Sequence, residues 1–163
     1  MARLAARVDA LLLDLGNVIA PIDFPRAFDV WARAAGTSPA DIATRFSFDG
    51  AYEAHERGEI EGAQYLRSLR GSLGVALSDQ QLLAGWNAIF LEPAPGMRGL
   101  LRTLAAAMPL YLFSNTNVLH HAYWIERYRR LLESFAGIFC SHQLGLRKPS
   151  PAAFERVVQL IGI

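Results

Sequence analysis

Three short apolar runs stand apart from the rest of the chain: Ala10-Leu11-Leu12-Leu13, Leu110-Tyr111-Leu112-Phe113 and Gly137-Ile138-Phe139-Cys140. Runs of this length, bounded by turn residues, predict strands buried on both faces, as in a parallel sheet. Each run stops at a polar residue: Asp14, Ser114 or Ser141. Between the first two runs the apolar positions recur at helical intervals instead. Phe28, Trp31 and Ala32 begin one helix that Gly36 closes, and Ser38 with Pro39 opens another carrying Ile42 and Phe46. Short helices are expected over 51–57, stopped by Gly58, and over 63–69, stopped near Gly71. Ser78 and Gln81 make a capping box ahead of Leu82, Leu83, Trp86, Ile89 and Phe90.

Residues 22–91 therefore predict an all-helical insert. Pro93 and Pro95 end it, and a helix over 96–107 leads to the second strand. A helix over 120–132 and the third strand come next, and then a loop carrying Gly145, Arg147, Lys148 and Pro149. Ser150 and Pro151 start a last helix lined by Phe154, Val157, Val158 and Leu160. Strands alternating with helices predict an α/β fold: a Rossmann-like parallel sheet of about three strands, from 1–21 and 92–163, with 22–91 as an inserted helical cap.

Composition narrows the setting. With 163 residues, 52% hydrophobic and 19% charged, the chain has enough apolar material for a core and no disorder signature. A net charge of +1, with arginines scattered among acids, shows neither a nucleic-acid footprint nor a polybasic membrane patch. Arg3 and Arg7 precede an apolar stretch in the manner of a signal peptide, but Asp9 and Asp14 interrupt it early. No apolar run approaches the ~18 residues of a membrane span. Cys140 is the single cysteine, which excludes an intrachain disulfide and argues against a cysteine zinc site; a reducing cytoplasm is the expected location.

The chemistry lies in where the strands end. Neighbouring parallel strands run about 5 Å apart, so Asp14, Ser114 and the Lys148 loop emerge along one edge, where ligands bind in open α/β sheets. Taken singly, Asp14 reads equally well as a turn cap and Ser114 as a strand-ending turn residue, and Lys148 reads first as an ordinary surface lysine. Together they offer a carboxylate nucleophile, a hydroxyl donor and an ammonium, which suits a phosphate ester. A divalent cation beside Asp14 would offset its repulsion from the phosphate. His120 and His121 point about 100° apart on a helix and do not share a metal. His55 and Arg57 either face a substrate from the lid or sit at a solvated helix end. Trp31, Trp86 and Phe90 fit a lid core.

The segments Asp14-Leu15-Gly16-Asn17-Val18, Phe113-Ser114-Asn115-Thr116-Asn117 and Arg147-Lys148-Pro149 resemble, in order and spacing, the first three motifs of the haloacid dehalogenase (HAD) superfamily. The helical insert matches that superfamily's small cap, and His55-Glu56-Arg57-Gly58-Glu59-Ile60 is similar to a cap segment of its sugar-phosphatase branch, with the bacterial glucose-1-phosphate phosphatases nearest in pattern. The resemblance implies a Mg²⁺-dependent phosphatase of a small phosphorylated metabolite, sugar phosphates included. Asp14 would form an aspartyl-phosphate, Ser114 and Lys148 would hold the phosphate with Asn115 beside it, and Asp14 with the Gly16 carbonyl would bind Mg²⁺.

Two departures from the family pattern qualify this. Gly16 stands where the phosphatases usually carry a second aspartate that protonates the leaving group, so the general acid is unassigned, and a haloacid dehalogenase remains an alternative. The sequence ends at Ile161-Gly162-Ile163, ahead of the family's fourth motif, whose acids complete the Mg²⁺ site. Weak Mg²⁺ affinity and slow turnover, or a silent binding module, are then expected of these residues. The first strand is expected at an exposed edge open to self-association.

Overall fold

The computed structural model describes residues 8–163; Arg3 and Arg7 lie outside the described residues. The three apolar runs are β1 (Leu11–Leu13), β2 (Leu110–Ser114) and β3 (Gly137–Cys140), parallel and in the order β1-β2-β3. Leu13 lies opposite Leu112, and Ser114 opposite Cys140. Helical crossovers separate the strands, which is the connection that parallel neighbours require. Leu110, Leu112 and Phe113 of the central strand are buried, whereas all three residues of β1 are half-buried. Among the described residues β1 pairs on its β2 side only.

Five helices fill the insertion: α1 (Pro25–Ala35), α2 (Pro39–Arg45), α3 (Gly50–Glu56), α4 (Gly62–Leu73) and α5 (Asp79–Asn87). Their starts reflect local chemistry. Ser38 Oγ accepts from the Asp41 amide, Asp49 Oδ1 from the Tyr52 amide, and Ser78 with Gln81 completes the capping box. Each such cap contributes about 1 kcal/mol. Trp31 and Trp86 are fully buried and stacked, ring centroids 6.2 Å apart, with Trp31 Nε1 donating to Leu82 O. The aromatic positions are thus the core of the cap.

The remaining helices are α6 (Met97–Ala107), α7 (Val118–Arg127), α8 (Arg129–Leu132), α9 (Ser141–Leu144) and α10 (Pro151–Ile161). Four local expectations change. α4 runs through Gly71 and stops at Gly74, which takes the left-handed conformation with φ 60°. Carrying Gly71 inside the helix costs about 1 kcal/mol, which the burial of Leu73 offsets. The helix over 120–132 breaks at Tyr128, whose hydroxyl donates to Leu91 O at 2.6 Å. A turn of helix, α9, comes directly after β3 where a loop was expected. In α10 only Ala153 and Val157 are buried; Phe154, Val158 and Leu160 are exposed, so the helical spacing there marks a stripe that is not fully covered.

Two of the contacts that tie the insertion to the core involve backbone directly. At its base the two connecting segments run side by side: Ile22 and Phe90 form an antiparallel bridge, with Asp23 N–H donating to Ile89 O and Leu91 N–H to Pro21 O. At its far end Gly58, with φ 69°, lies so close to α9 that a Cβ would sit 2.2 Å from the His142 carbonyl oxygen. Only glycine meets both demands. Gly58→Ala is expected to cost about 2–4 kcal/mol, from the strained φ plus overlap with backbone, and chemical denaturation would read it.

Candidate active site

Asp14 closes β1 and Lys148 enters from the loop before α10, and the structure joins them: Lys148 Nζ lies 2.7 Å from Asp14 Oδ2. The ammonium also donates to Phe113 O at 2.8 Å and sits over the Phe113 ring, 5.2 Å from its centroid. Its backbone is clamped as firmly. Asn115 Nδ2 donates to Lys148 O at 2.9 Å, and Lys148 N–H donates to Asn115 Oδ1 at 2.8 Å. The asparagine after β2 thereby sets the height of the lysine after β3. Asp14 Oδ1 accepts from the Leu15 amide at 2.7 Å, which fixes the carboxylate plane. Ser114, 5% exposed, directs its hydroxyl only at the neighbouring Asn115 carbonyl, at a long 3.3 Å, and is available to a ligand.

Beyond Asp14 the chain reverses. Asn17 takes φ 59°, its amide donates to Ala20 O, and its Oδ1 accepts from the Ile22 amide at 2.9 Å. A left-handed asparagine is the usual non-glycine solution at such a turn. At Gly16 a Cβ would lie 2.5 Å from Ile22 Cδ1, so a side chain there displaces Ile22 from the cavity wall.

These residues open into one cavity of about 480 Å³, lined by Asp14, Gly16, Asn17, Ser114, Asn115 and Lys148 on the sheet side. Ile22, Phe24, Tyr52, Glu56 and Arg147 line the same cavity. Its size suits a small metabolite. The opposing wall is built by α3. Tyr52 and Glu56 stand four residues apart, one helical turn, and the Tyr52 hydroxyl donates to Glu56 Oε1 at 2.8 Å. Arg147, the residue before Lys148, reaches across to this helix: Nη1 meets Glu53 Oε1 at 2.7 Å and Nη2 meets Glu56 Oε2 at 2.8 Å. Glu56 is 4% exposed, and burial raises its pKa against the lowering by Tyr52 and Arg147. Burial also raises the Tyr52 phenol, which is held protonated.

All five sequence-derived site residues, Asp14, Gly16, Ser114, Asn115 and Lys148, meet at this cavity. Ser141, the third strand-ending residue, does not; it is fully buried and cross-links the strand ends, accepting from the Thr116 amide and donating to Thr116 O, both at 2.8 Å. His55 is 1% exposed and stacked on Tyr65, which overturns the solvated helix end as its setting, while Arg57 pairs at the surface with Glu59. Tyr52 carries no motif signal, and Glu56 and Arg147 enter the sequence reading only through their places in the quoted segments. The four-residue spacing on α3 links Tyr52 to Glu56, and nothing in the sequence links Arg147 to them. Among the described residues no group of three or more His, Cys, Asp and Glu side chains is placed to hold a metal ion.

Comparison with known structures matches this arrangement closely. A HAD family enzyme from Bacteroides thetaiotaomicron, solved with magnesium and inorganic phosphate, superposes with a TM-score of 0.83 and 28% identity over 96% of this chain and 80% of that one. In fold and in sequence the chain is similar to HAD family enzymes. A D-ribitol-5-phosphate phosphatase from the same species is 23% identical over 155 residues, 91% of this chain and 75% of the relative. The L-2-haloacid dehalogenase of Xanthobacter autotrophicus, at 16% identity and a TM-score of 0.65 over 96% of this chain and 66% of that one, shares the fold. No family model matches the chain. The α/β core with its helical insertion thus has the arrangement of the HAD enzymes' core and cap, and the chain resembles phosphoric monoester hydrolases.

Proposed function

We propose that the protein is a Mg²⁺-dependent phosphatase of a small phosphorylated metabolite, with sugar and polyol phosphates as its substrate class. The observation that carries this is the 2.7 Å contact of Asp14 with Lys148 at the mouth of a cavity that Ser114 also lines. An Asp14 oxygen attacks phosphorus, the bond from phosphorus to the ester oxygen breaks, and the leaving oxygen takes up a proton. Water then attacks phosphorus of the aspartyl-phosphate, releasing inorganic phosphate and the Asp14 carboxylate. Lys148 and the Ser114 hydroxyl hold non-bridging oxygens as charge develops on them. Asn115 acts through Lys148, whose backbone it clamps on both sides.

The donor chemistry fits magnesium. The metal prefers hard oxygen ligands, keeps several waters, and is commonly bound by one or two carboxylates together with substrate phosphate. Asp14 and the Gly16 carbonyl would hold it, and it would neutralise charge between carboxylate and phosphate. Turnover is therefore expected to rise with added Mg²⁺ until the site is filled. Hydrolysis of p-nitrophenyl phosphate that rises in this way and stops with a chelator supports the reading. Phosphate binding without turnover at saturating Mg²⁺ would instead identify a silent binding module, and halide release from a 2-haloacid without metal would identify a dehalogenase.

No helix among the described residues is long and apolar enough to cross a membrane. The single cysteine, Cys140, supports a reducing cytoplasm as the protein's location. The outer edge of β1 offers backbone groups for self-association; a sedimentation series over protein concentration reads it.

A further inference from the structure

Arg147 stands one residue before the lysine of the phosphate site, yet its guanidinium turns to the opposite wall of the cavity. Its backbone is a fixed point of the core. Asn115 bonds both Lys148 N–H and Lys148 O, and Ser150 N–H donates to Arg147 O at 3.1 Å. From that point the side chain spans to α3, where Nη1 pairs with Glu53 Oε1 at 2.7 Å and Nη2 with Glu56 Oε2 at 2.8 Å. Glu53 and Glu56 are three residues apart and share a helix face, which the planar guanidinium fork meets with two separate nitrogens. Among the described residues, these are the ion pairs that join the insertion to the rest of the chain. With both terminal nitrogens engaged by carboxylates, the guanidinium is committed to α3.

What α3 carries makes this attachment matter to the site. Tyr52 and Glu56 line the cavity, and the Tyr52 hydroxyl donates to Glu56 Oε1 at 2.8 Å. Arg147, Glu56 and Tyr52 therefore form one line of polar contacts from the Lys148 loop to the cavity wall. α3 is 7 residues long and follows an irregular stretch, 46–49. A helix that short has little stability of its own, so tertiary contacts decide where it lies. The two pairs differ in strength. The Glu53 side chain is 46% exposed and solvent weakens its pair, whereas the Glu56 side chain is 5% exposed and its pair is screened little.

Resting on the phosphatase reading, we propose that Arg147 is a positioning residue: it ties α3 to the loop that carries Lys148, and so sets where the Tyr52 and Glu56 wall stands against the leaving group. Arg147 acts through α3 and does not touch the phosphate. Asp14, Ser114 and Lys148 handle the phosphoryl group of every substrate alike, and the α3 wall meets what is attached to it.

The test is Arg147→Met, which keeps an apolar stem and removes both pairs. For D-ribitol 5-phosphate, with its long polyol leaving group, kcat/KM is expected to fall about thirtyfold, the loss lying in KM. Acetyl phosphate, whose leaving group is small, should lose at most about threefold, and inorganic phosphate should bind within about twofold of wild type. Phosphate binding that weakens in step with kcat/KM would make Arg147 a direct phosphate ligand, and equal losses on both substrates would make it a merely structural residue; either result overturns the proposal. Removing Arg147 leaves the buried Glu56 carboxylate unpaired and can cost the fold, so Glu53→Gln, which cuts the exposed pair, is the second variant. It should lower the ratio of the two kcat/KM values about threefold. Combined with Arg147→Met it should add nothing further, and losses that multiply would show the two side chains acting apart and overturn the proposal. A wild-type protein that hydrolyses neither substrate refutes the phosphatase reading, and hydrogen exchange then decides for Arg147. The α3 amides should exchange about tenfold faster in Arg147→Met than in wild type, with those of β2 unchanged. Unchanged exchange in α3 overturns the proposal.

Discussion

Asp14→Asn is expected to lower Mg²⁺-dependent hydrolysis of p-nitrophenyl phosphate by roughly four orders of magnitude, the scale set by removing a covalent nucleophile. The substitution is close to isosteric. Its amide oxygen can still accept from the Leu15 amide, as Oδ1 does at 2.7 Å, so the turn after β1 has no reason to rearrange. What changes is charge and nucleophilicity. The amide cannot attack phosphorus, and its NH2 group faces the Lys148 ammonium where Oδ2 now stands at 2.7 Å. Inorganic phosphate should bind the variant at least as well as the wild type, because one negative charge beside the anion is gone. Lost turnover with retained phosphate binding separates a nucleophile from a residue that only shapes the pocket. Lys148→Met should behave differently and weaken phosphate binding and turnover together, by roughly 100-fold. Acid quenching during turnover should trap a phosphorylated wild-type chain and none from Asp14→Asn. An Asp14→Asn protein within tenfold of wild-type turnover would end the covalent mechanism.

Asp14, Ser114 and Lys148 could be placed from the sequence because one rule governs their positions. Parallel strands of similar length bring their carboxyl ends to one edge, and the register that puts Leu13 beside Leu112 is enough to align Asp14 with the end of β2. Tyr52, Glu56 and Arg147 obey no such rule. Their meeting depends on how α3 docks against the loop before α10, across 94 residues for the Arg147–Glu53 pair, and helical spacing says only that Tyr52 and Glu56 share a face. His55 shows the same limit. Placed near the end of a short polar helix it suggests solvent, yet Tyr65 from α4 stacks on it at 4.5 Å and covers it. The α10 stripe errs the other way, since amphipathic spacing identifies an apolar face without supplying the surface that covers it. Helix ends were legible where a side chain fixes them, as at Ser38 and Ser78. They were not where tertiary packing decides, as at Gly71, which α4 runs through to bury Leu73.

Acidification is expected to destabilise the fold well before its carboxylates titrate, because two histidines are buried in neutral form at the junction of cap and core. His120 stacks on Trp86 at 4.3 Å; its Nε2 lies 2.9 Å from Trp86 O, and its Nδ1 lies 3.2 Å from Asn117 Nδ2. A neutral ring satisfies both contacts by donating from Nε2 and accepting at Nδ1, whereas a second proton on Nδ1 would face the Asn117 NH2 group. Burial pushes the His120 pKa down to about 3, the Trp86 carbonyl opposing the shift and His55 adding to it. Burial, with the charge of His142, pushes His55 down to about 4. Both folded values lie below the ordinary value of 6.5. As pH falls through 6.5 the unfolded chain takes up protons that the folded chain refuses. Stability is therefore fully present above that pH and declines by about 1.4 kcal/mol per unit for each histidine until the folded pKa is reached. Between pH 6.5 and 4.5 the pair costs at most about 5 kcal/mol, a large share of a typical domain's stability. Glu56 acts with the opposite sign, since its raised pKa makes the folded state the better proton acceptor, and it offsets part of this loss. Urea unfolding at pH 7, 5.5 and 4.5 reads the slope. His120→Gln, whose amide can meet both Trp86 O and Asn117, should remove about half of it, and a wild-type stability that is flat from pH 7 to 5 would show that neither ring is held neutral.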